Sequence, residues 1–173
     1  FVGNGARRLI ERAAGTADPA LIGRLLTDFL RIYDRDCLAR TKPYPGIPEL
    51  LAVLSAQRCR LVVVTNKPEE QAVKILEHVF PERPFAAICG GRAGRRHKPD
   101  PAALLETLEA VGAGPETAIY VGDSDVDVHT AHNAGMPCAG AVWGFRGEEE
   151  LARAGADVLL YEPAGLLRCL ELF

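Results

Sequence analysis

Three carboxylates, Asp123, Asp125 and Asp127, fall within five residues directly after the apolar run Ala118-Ile119-Tyr120-Val121. Carboxylates that close together beside an apolar strand repel one another and lose hydration, which raises their pKa values unless a cation neutralises them. A divalent ion is the simplest remedy, and Mg2+ suits the site because it is held by one or two carboxylates, with water and a substrate phosphate completing its shell. The same residues also have a purely local reading. Ser124 as N-cap and Asp127 three positions later form a capping box, and acids in a first turn favour the helix dipole. That reading accounts for Ser124, Asp125 and Asp127 but leaves Gly122 and Asp123 unexplained, so this spacing alone divides about evenly between metal binding and capping.

Two further runs carry groups suited to an anion. Val64-Thr65-Asn66-Lys67-Pro68 ends an apolar strand with a hydroxyl, an amide and an ammonium, and leads into a helix whose first amides would face a bound anion. Its local reading is a second capping box, Asn66 with Glu69, ahead of a first-turn proline. Arg95-Arg96-His97-Lys98-Pro99-Asp100-Pro101 delivers Lys98 from a stiff loop, because Pro99 biases the residue before it toward extended backbone and Asp100-Pro101 caps the next helix. Lysine is scarce, four residues against sixteen arginines, yet Lys67 and Lys98 both fall in these loops, and an ammonium is a compact phosphate partner. Arg92, Arg95 and Arg96 read as a solvated basic loop. His129 and His132, three apart on a helix, lack a third ligand at sensible spacing and read as surface histidines.

The elements that must position these runs follow from hydrophobic periodicity. Leu9, Ile10 and Ala13 recur at helical spacing before Gly15; Asp18-Pro19 then opens a helix with Ile22, Leu25, Leu26, Phe29 and Ile32 on one face. Lys42-Pro43-Tyr44-Pro45-Gly46 breaks that pattern, which predicts a helical unit over 1–43 and an α/β unit over 44–173. Beyond it, strands expected at 61–64, 85–89, 118–121, 139–143 and 158–161 alternate with helices near 47–54, 72–80, 104–111 and 125–134. Alternation of this kind predicts a doubly wound, mostly parallel sheet of Rossmann type, with ligands beyond the carboxyl ends of its strands. With 173 residues, 48% apolar and 25% charged, the chain can bury a core, and its Gly and Pro are dispersed rather than clustered. A net charge of −3 gives no general drive toward nucleic acid or anionic membranes, and no apolar run approaches the length of a membrane span. Five cysteines without a CxxC pair suggest buried thiols in a reducing, cytoplasmic setting.

Taken in order, the strand ending Thr65-Asn66, then Lys98-Pro99-Asp100-Pro101, then Gly122-Asp123-Ser124-Asp125-Val126-Asp127, the chain resembles the haloacid dehalogenase-like phosphohydrolases, and among them the phosphoglycolate phosphatases. Tyr44-Pro45-Gly46, Gly90-Gly91 and Gly135-Met136-Pro137 add to the likeness. The resemblance implies a Mg2+-dependent phosphatase acting on a small phosphorylated metabolite, 2-phosphoglycolate first, through an aspartyl-phosphate. It implies that Thr65 binds a phosphoryl oxygen, that Lys98 steadies phosphate and nucleophile, that Asp123 ligates Mg2+ and that Asp127 supports the ion directly or through water and Lys98. Asn66 and Lys67 become candidate substrate-binding residues. Arg7 or Arg8 is a looser candidate for the substrate carboxylate.

One element of the family pattern is absent from these residues. The apolar strand ending Asp-x-Asp-Gly-Thr, which would supply the nucleophile and the general acid/base, has no counterpart, since Asp34-Arg35-Asp36 lies in a helical pattern. With Phe1 as first residue, the expectation is an N-terminal truncation that leaves a cap remnant over the first forty residues. The missing strand would lie between those ending at Thr65 and Asp123, so this polypeptide alone is expected to be inactive and poorly stable, with two strand edges bare. The alternatives are a sugar phosphomutase or pyrophosphatase of the same superfamily, and a non-catalytic fragment or pseudoenzyme with a binding role. No nucleic-acid or membrane partner is expected, and the protein is expected to be a monomer or homodimer.

Overall fold

The computed structural model describes residues 5–170. It opens with two helices, α1 (Ala6–Ala14) and α2 (Pro19–Asp36). As the sequence predicts, α2 starts on Asp18, whose carboxylate accepts the Ala20 N–H at 3.0 Å just ahead of a first-turn proline. The apolar stripe of α2 is only lightly used: Ile22 is buried, while Leu25 and Ile32 stay exposed. Tyr33 and Asp34 tie α2 to the rest of the chain by polar contacts.

From residue 47 onward helices and strands alternate. They run α3 (Ile47–Ala56), β1 (Leu61–Pro68), α4 (Glu69–Val79), β2 (Phe85–Gly91), α5 (Ala102–Ala110), β3 (Tyr120–Gly122), α6 (Asp125–Asn133), β4 (Cys138–Ala141), α7 (Glu148–Ala154), β5 (Val158–Leu160) and α8 (Gly165–Cys169). Every strand pairing is parallel, the α/β, Rossmann-like arrangement expected of alternating elements. The pattern of the sequence does not reveal α7 or α8. Each is short, and α7 buries a single residue, Leu151, too little to print a helical period. The strands expected at 118–121 and 139–143 are also trimmed. β3 starts at Tyr120, after a 3-10 turn at Pro115–Thr117, and β4 stops at Ala141, where the Gly144 N–H turns back onto the Ala141 carbonyl at 3.0 Å.

The sheet is in two halves. β1 pairs with β2, and β3, β4 and β5 pair in that order, but β1 and β3 share no ladder. This is where the sequence reading places a further strand. The halves are joined instead through the helical layers. On one face Leu104 and Leu108 of α5 pack with Tyr120 of β3, Val128 and Ala131 of α6, and Leu151 of α7, with Val64 of β1 against them. On the other, Leu50 and Leu54 of α3 pack with Ala139, Leu160, Leu166 and Cys169, with Leu61 of β1 against them. Four of the five cysteines are buried and none is in a disulfide, as expected.

Candidate active site

The three runs singled out in the sequence meet at the carboxyl ends of β1 and β3, and Lys98 is the side chain that joins them. Its Nζ donates to Asp127 Oδ1 at 2.6 Å, to the Tyr120 hydroxyl at 3.1 Å and to the Val64 carbonyl at 3.2 Å. Only 13% of the Lys98 side chain and 9% of the Asp127 side chain is exposed, so screening by solvent is slight. Burial disfavours the charge on each partner, but each stabilises the other. Lys98 ends above the ordinary ammonium value and Asp127 below the ordinary carboxyl value, with the Ser124 hydroxyl and the Asp123 N–H adding to the hold on Asp127. The cation that relieves the acidic loop at Asp127 is thus a lysine ammonium.

Asp127 is fully engaged. Oδ1 takes Lys98 and the Tyr120 hydroxyl (3.2 Å), while Oδ2 takes the Ser124 hydroxyl at 2.6 Å and the Asp123 N–H at 3.2 Å. The capping box expected of Ser124 does not form. Ser124 is the N-cap of α6, but its hydroxyl turns to the Asp127 carboxylate rather than to a backbone N–H. Asp123 stands at the end of β3 with Oδ2 accepting the Phe145 N–H at 2.9 Å. Phe145, in the turn after β4, is exposed.

On the other half, Thr65 Oγ1 accepts the Lys67 N–H at 3.2 Å, a turn that leaves the hydroxyl proton for donation. Asn66 does not cap α4, contrary to the local reading. It lies within β1, buried, and its carboxamide grips the backbone of Lys98 on both sides: Oδ1 accepts the Lys98 N–H at 2.8 Å and Nδ2 donates to the Lys98 carbonyl at 3.2 Å. Glu69, its expected capping partner, turns instead to β2 and accepts from the Gly90 N–H at 3.0 Å and from Arg95 at 2.7 Å. Those bonds lower the Glu69 pKa, that from Gly90 most, against the opposing effect of burial. Arg95 is accordingly not a solvated loop residue: its side chain is 15% exposed, and it also holds the Gly90 carbonyl at 2.9 Å. Lys67 is carried toward α2, where its ammonium bonds the Tyr33 hydroxyl and lies 4.8 Å from the centre of that ring.

The structure thus brings together Thr65, Asn66, Lys98, Asp123 and Asp127, and sends the Lys67 ammonium to the neighbouring helix. Arg7 and Arg8 are exposed and paired with Glu11. His132 pairs with Asp157 at 3.0 Å, as a surface histidine would. Tyr120 is the site residue that the sequence reading missed. As an apolar-run aromatic it reads as core, and it is core, with its hydroxyl alone reaching the site; burial pushes that phenol up to about 12.

Among the described residues no group of three or more His, Cys, Asp or Glu side chains converges as a metal cage. The donor chemistry fits a partial oxygen site for Mg2+, which needs few protein ligands. The Asp123 carboxylate is the group suited to hold the ion. Asp127, whose oxygens serve Lys98, Tyr120, Ser124 and the Asp123 amide, stands behind it as the residue that orients its neighbours.

Residues 1–141 match the family model of the haloacid dehalogenase-like hydrolases. The chain is 35% identical over 99% of its length to phosphoglycolate phosphatase 1 of Pseudomonas aeruginosa and spans 65% of that protein. It is 33% identical over 98% of its length to the N-acetylmuramic acid 6-phosphate phosphatase of the same organism, spanning 76% of it. The crystal structure of a Lactobacillus delbrueckii subsp. bulgaricus protein assigned as a phosphoglycolate phosphatase superposes with a TM-score of 0.88 at 29% identity, covering 98% of this chain and 80% of that one.

Proposed function

The chain belongs to the haloacid dehalogenase-like hydrolases, and we propose that the protein is a Mg2+-dependent phosphatase whose substrate is a small phosphorylated acid, 2-phosphoglycolate. The observation that carries this reading is the Lys98–Asp127 pair, held between a threonine-bearing strand end and an aspartate-bearing one. Thr65 uses its hydroxyl proton on a phosphoryl oxygen. Lys98, fixed beside it, offsets the charge of the phosphate, and Asp123 would hold Mg2+, which when bound supplies further positive charge at the phosphate. Asn66 and Lys67 serve the substrate indirectly, one by holding Lys98 and the other by tying the phosphate loop to α2. The nucleophilic aspartate comes from an Asp-x-Asp-Gly-Thr strand seated between β1 and β3. Residues 1–173 hold no such run, and on this reading no phosphate release is expected of them by themselves.

A sugar phosphate is the second reading, favoured by the likeness to the N-acetylmuramic acid 6-phosphate phosphatase. Among the described residues no helix is long and apolar enough to cross a membrane, and the four buried, unbridged thiols suit a cytoplasmic setting. Phosphate release is the test, measured with and without Mg2+ on 2-phosphoglycolate, N-acetylmuramic acid 6-phosphate, glucose 1-phosphate and pyrophosphate. It is applied to the protein translated from its complete reading frame and to residues 1–173 alone. The expected result is Mg2+-dependent release from 2-phosphoglycolate by the former and none by the latter. Turnover by residues 1–173 alone overturns the assignment of the nucleophile; no turnover of any ester by the complete protein overturns the phosphatase reading in favour of a non-catalytic role.

A further inference from the structure

We propose that Tyr120 is a positioning residue for Lys98, an inference that rests on the phosphatase reading for its role in the reaction but on hydrogen-bond geometry for its substance. An ammonium has three protons and no lone pair. In Lys98 all three are committed, to Asp127 Oδ1 at 2.6 Å, to the Tyr120 hydroxyl at 3.1 Å and to the Val64 carbonyl at 3.2 Å. Because the ammonium can only donate, the Tyr120 oxygen must accept from it, and the single phenolic proton then goes to Asp127 Oδ1 at 3.2 Å. Lysine, tyrosine and aspartate close a three-sided ring.

Two of the three acceptors belong to the β3 half and are rigid. Tyr120, 8% exposed, belongs to the packed face under α5 and α6, and Asp127, 6% exposed, is held by the Ser124 hydroxyl and the Asp123 N–H. The backbone end of Lys98 is equally fixed, by the two Asn66 bonds and by Asn133, whose Nδ2 donates to the Pro99 carbonyl at 3.0 Å. With two protons anchored and the backbone held, rotation about Cε–Nζ is stopped. The third proton is directed at the bare edge of β1. Its bond to the Val64 carbonyl is long and has an uncharged acceptor, so it is the bond most readily given up to a charged oxygen. The Tyr120 hydroxyl therefore presents one Lys98 proton toward the carboxyl ends of β1 and β3, where a phosphoryl oxygen takes it in place of Val64. Asp127 alone, with one oxygen, would leave the ammonium free to turn.

The test reads the Lys98 ammonium directly, in residues 1–173, by proton–nitrogen correlation spectroscopy of side-chain NH3+ groups. The Lys98 signal is identified by its loss in Lys98→Arg. A resolved, slowly exchanging signal is expected in the unsubstituted chain, with cross-relaxation between these protons and the Tyr120 hydroxyl proton. In Tyr120→Phe, an isosteric change that removes only the hydroxyl, exchange with water should quicken about fivefold, in line with the loss of one modest hydrogen bond, while near-ultraviolet circular dichroism is retained. A merely structural tyrosine would leave that exchange rate unchanged, and an unchanged rate overturns the proposal. Should Tyr120→Phe fail to fold, the unsubstituted chain decides: absence of the slow signal, or of cross-relaxation with Tyr120, overturns the proposal equally. None of these readouts needs turnover, so they fail or succeed separately from the phosphatase reading.

Discussion

The two half-sheets are built in opposite ways. β1 and β2 are long, eight and seven residues, yet most of their positions are only partly buried. β3, β4 and β5 are three to four residues each, and every residue of β4 is buried. The chemistry divides along the same line. The β1–β2 half ends in a hydroxyl, an amide and basic residues, and is tied to α1–α2 through Tyr33–Lys67 and through Asp34, which accepts from Gln71 and Lys74. The β3–β5 half ends in carboxylates. A strand with one edge unpaired cannot be buried on that side however long its hydrogen-bonded run, whereas β4, flanked on both sides and covered on both faces, needs only four residues to hold its place. Lys98 bonds both halves, through Val64 on one side and Tyr120 and Asp127 on the other, so the site is also the seam of the fold.

The sharpest way to break this comparison is to cut the seam. Lys98→Met leaves the Asp127 carboxylate buried without its cation and is expected to cost about 3–5 kcal/mol, the usual penalty for removing one member of a buried pair. Urea denaturation measures the loss, and amide exchange should show both halves losing protection together. Lys98→Met combined with Asp127→Leu should recover much of it, because no unpaired charge then remains. If Lys98→Met costs less than about 1 kcal/mol, the pair is not what couples the halves.

Smaller effects should separate the halves. A Cβ on Gly90 would lie 2.3 Å from the Glu69 Cα, and one on Gly122 would lie 2.2 Å from the Asp127 Cβ. Alanine at either position must push backbone or a buried carboxylate aside, at a cost of about 1–3 kcal/mol. Gly90→Ala strikes the β1–β2 half and should reduce amide protection first in β2 and α4. Gly122→Ala strikes the other half and should also displace Asp127 from Lys98. Identical exchange patterns for the two variants would mean that the halves unfold as one unit.

The same division explains what could be read from the sequence. In the β1–β2 half apolar runs such as Leu61-Val62-Val63-Val64 carry the strand signal in consecutive residues, but the expected strands 61–64 and 85–89 stop short of β1 and β2, whose ends, Thr65-Asn66-Lys67-Pro68 and Gly90-Gly91, carry no apolar run. The short strands of the other half were found but mislaid at their ends, since Ala118, Val142 and Trp143 are apolar for reasons of packing rather than of pairing. At the site, residue type located Thr65, Lys98, Asp123 and Asp127, and the structure groups them. Residue type did not reveal partners 21 to 32 positions apart in the chain: Asn66 holding Lys98, Glu69 holding Gly90, or Tyr120 completing the lysine ring. The two expected capping boxes failed for different reasons: Asn66 and Glu69 were taken by distant partners, Lys98 and Gly90, whereas the Ser124 hydroxyl turned to the Asp127 carboxylate three residues on.

Acid should act on both halves but not equally. Asp127 and Glu69 each have a folded pKa below the ordinary carboxyl values of 3.8 and 4.5. A carboxyl depressed by folding contributes stability that is complete above its unfolded value and is lost as pH falls through the folded one. Stability on this account is level down to the ordinary carboxyl range and declines below it. Lys98 has the opposite sign: its raised ammonium pKa contributes stability that is complete below 10.5 and is lost as pH rises above its folded value. Asp127→Asn should flatten the acid limb more than Glu69→Gln does, because Glu69 is 31% exposed against 9% for Asp127 and solvent screens its partners. Denaturation midpoints followed from pH 7 downward decide it; an equal or larger flattening by Glu69→Gln would place the acid-sensitive contact in the β1–β2 half.

The smallest effect tests whether the β3–β5 half depends on its surface as little as its burial implies. Asp157 Oδ2 accepts both the Cys138 N–H at the start of β4, at 2.8 Å, and His132 at 3.0 Å. Of these, the histidine is 39% exposed on its side chain, so His132→Ala removes a screened contact and should cost under about 1 kcal/mol. Asp157→Ala should cost more, because the first N–H of an interior strand loses its acceptor in a half-sheet with little slack. Thermal denaturation of the two variants gives the comparison directly. Equal losses would mean that the ion pair, not the backbone bond, fixes the entry of β4, and the contrast between a buried half held by its core and an open half held by polar ties would then be weaker than the burial pattern makes it.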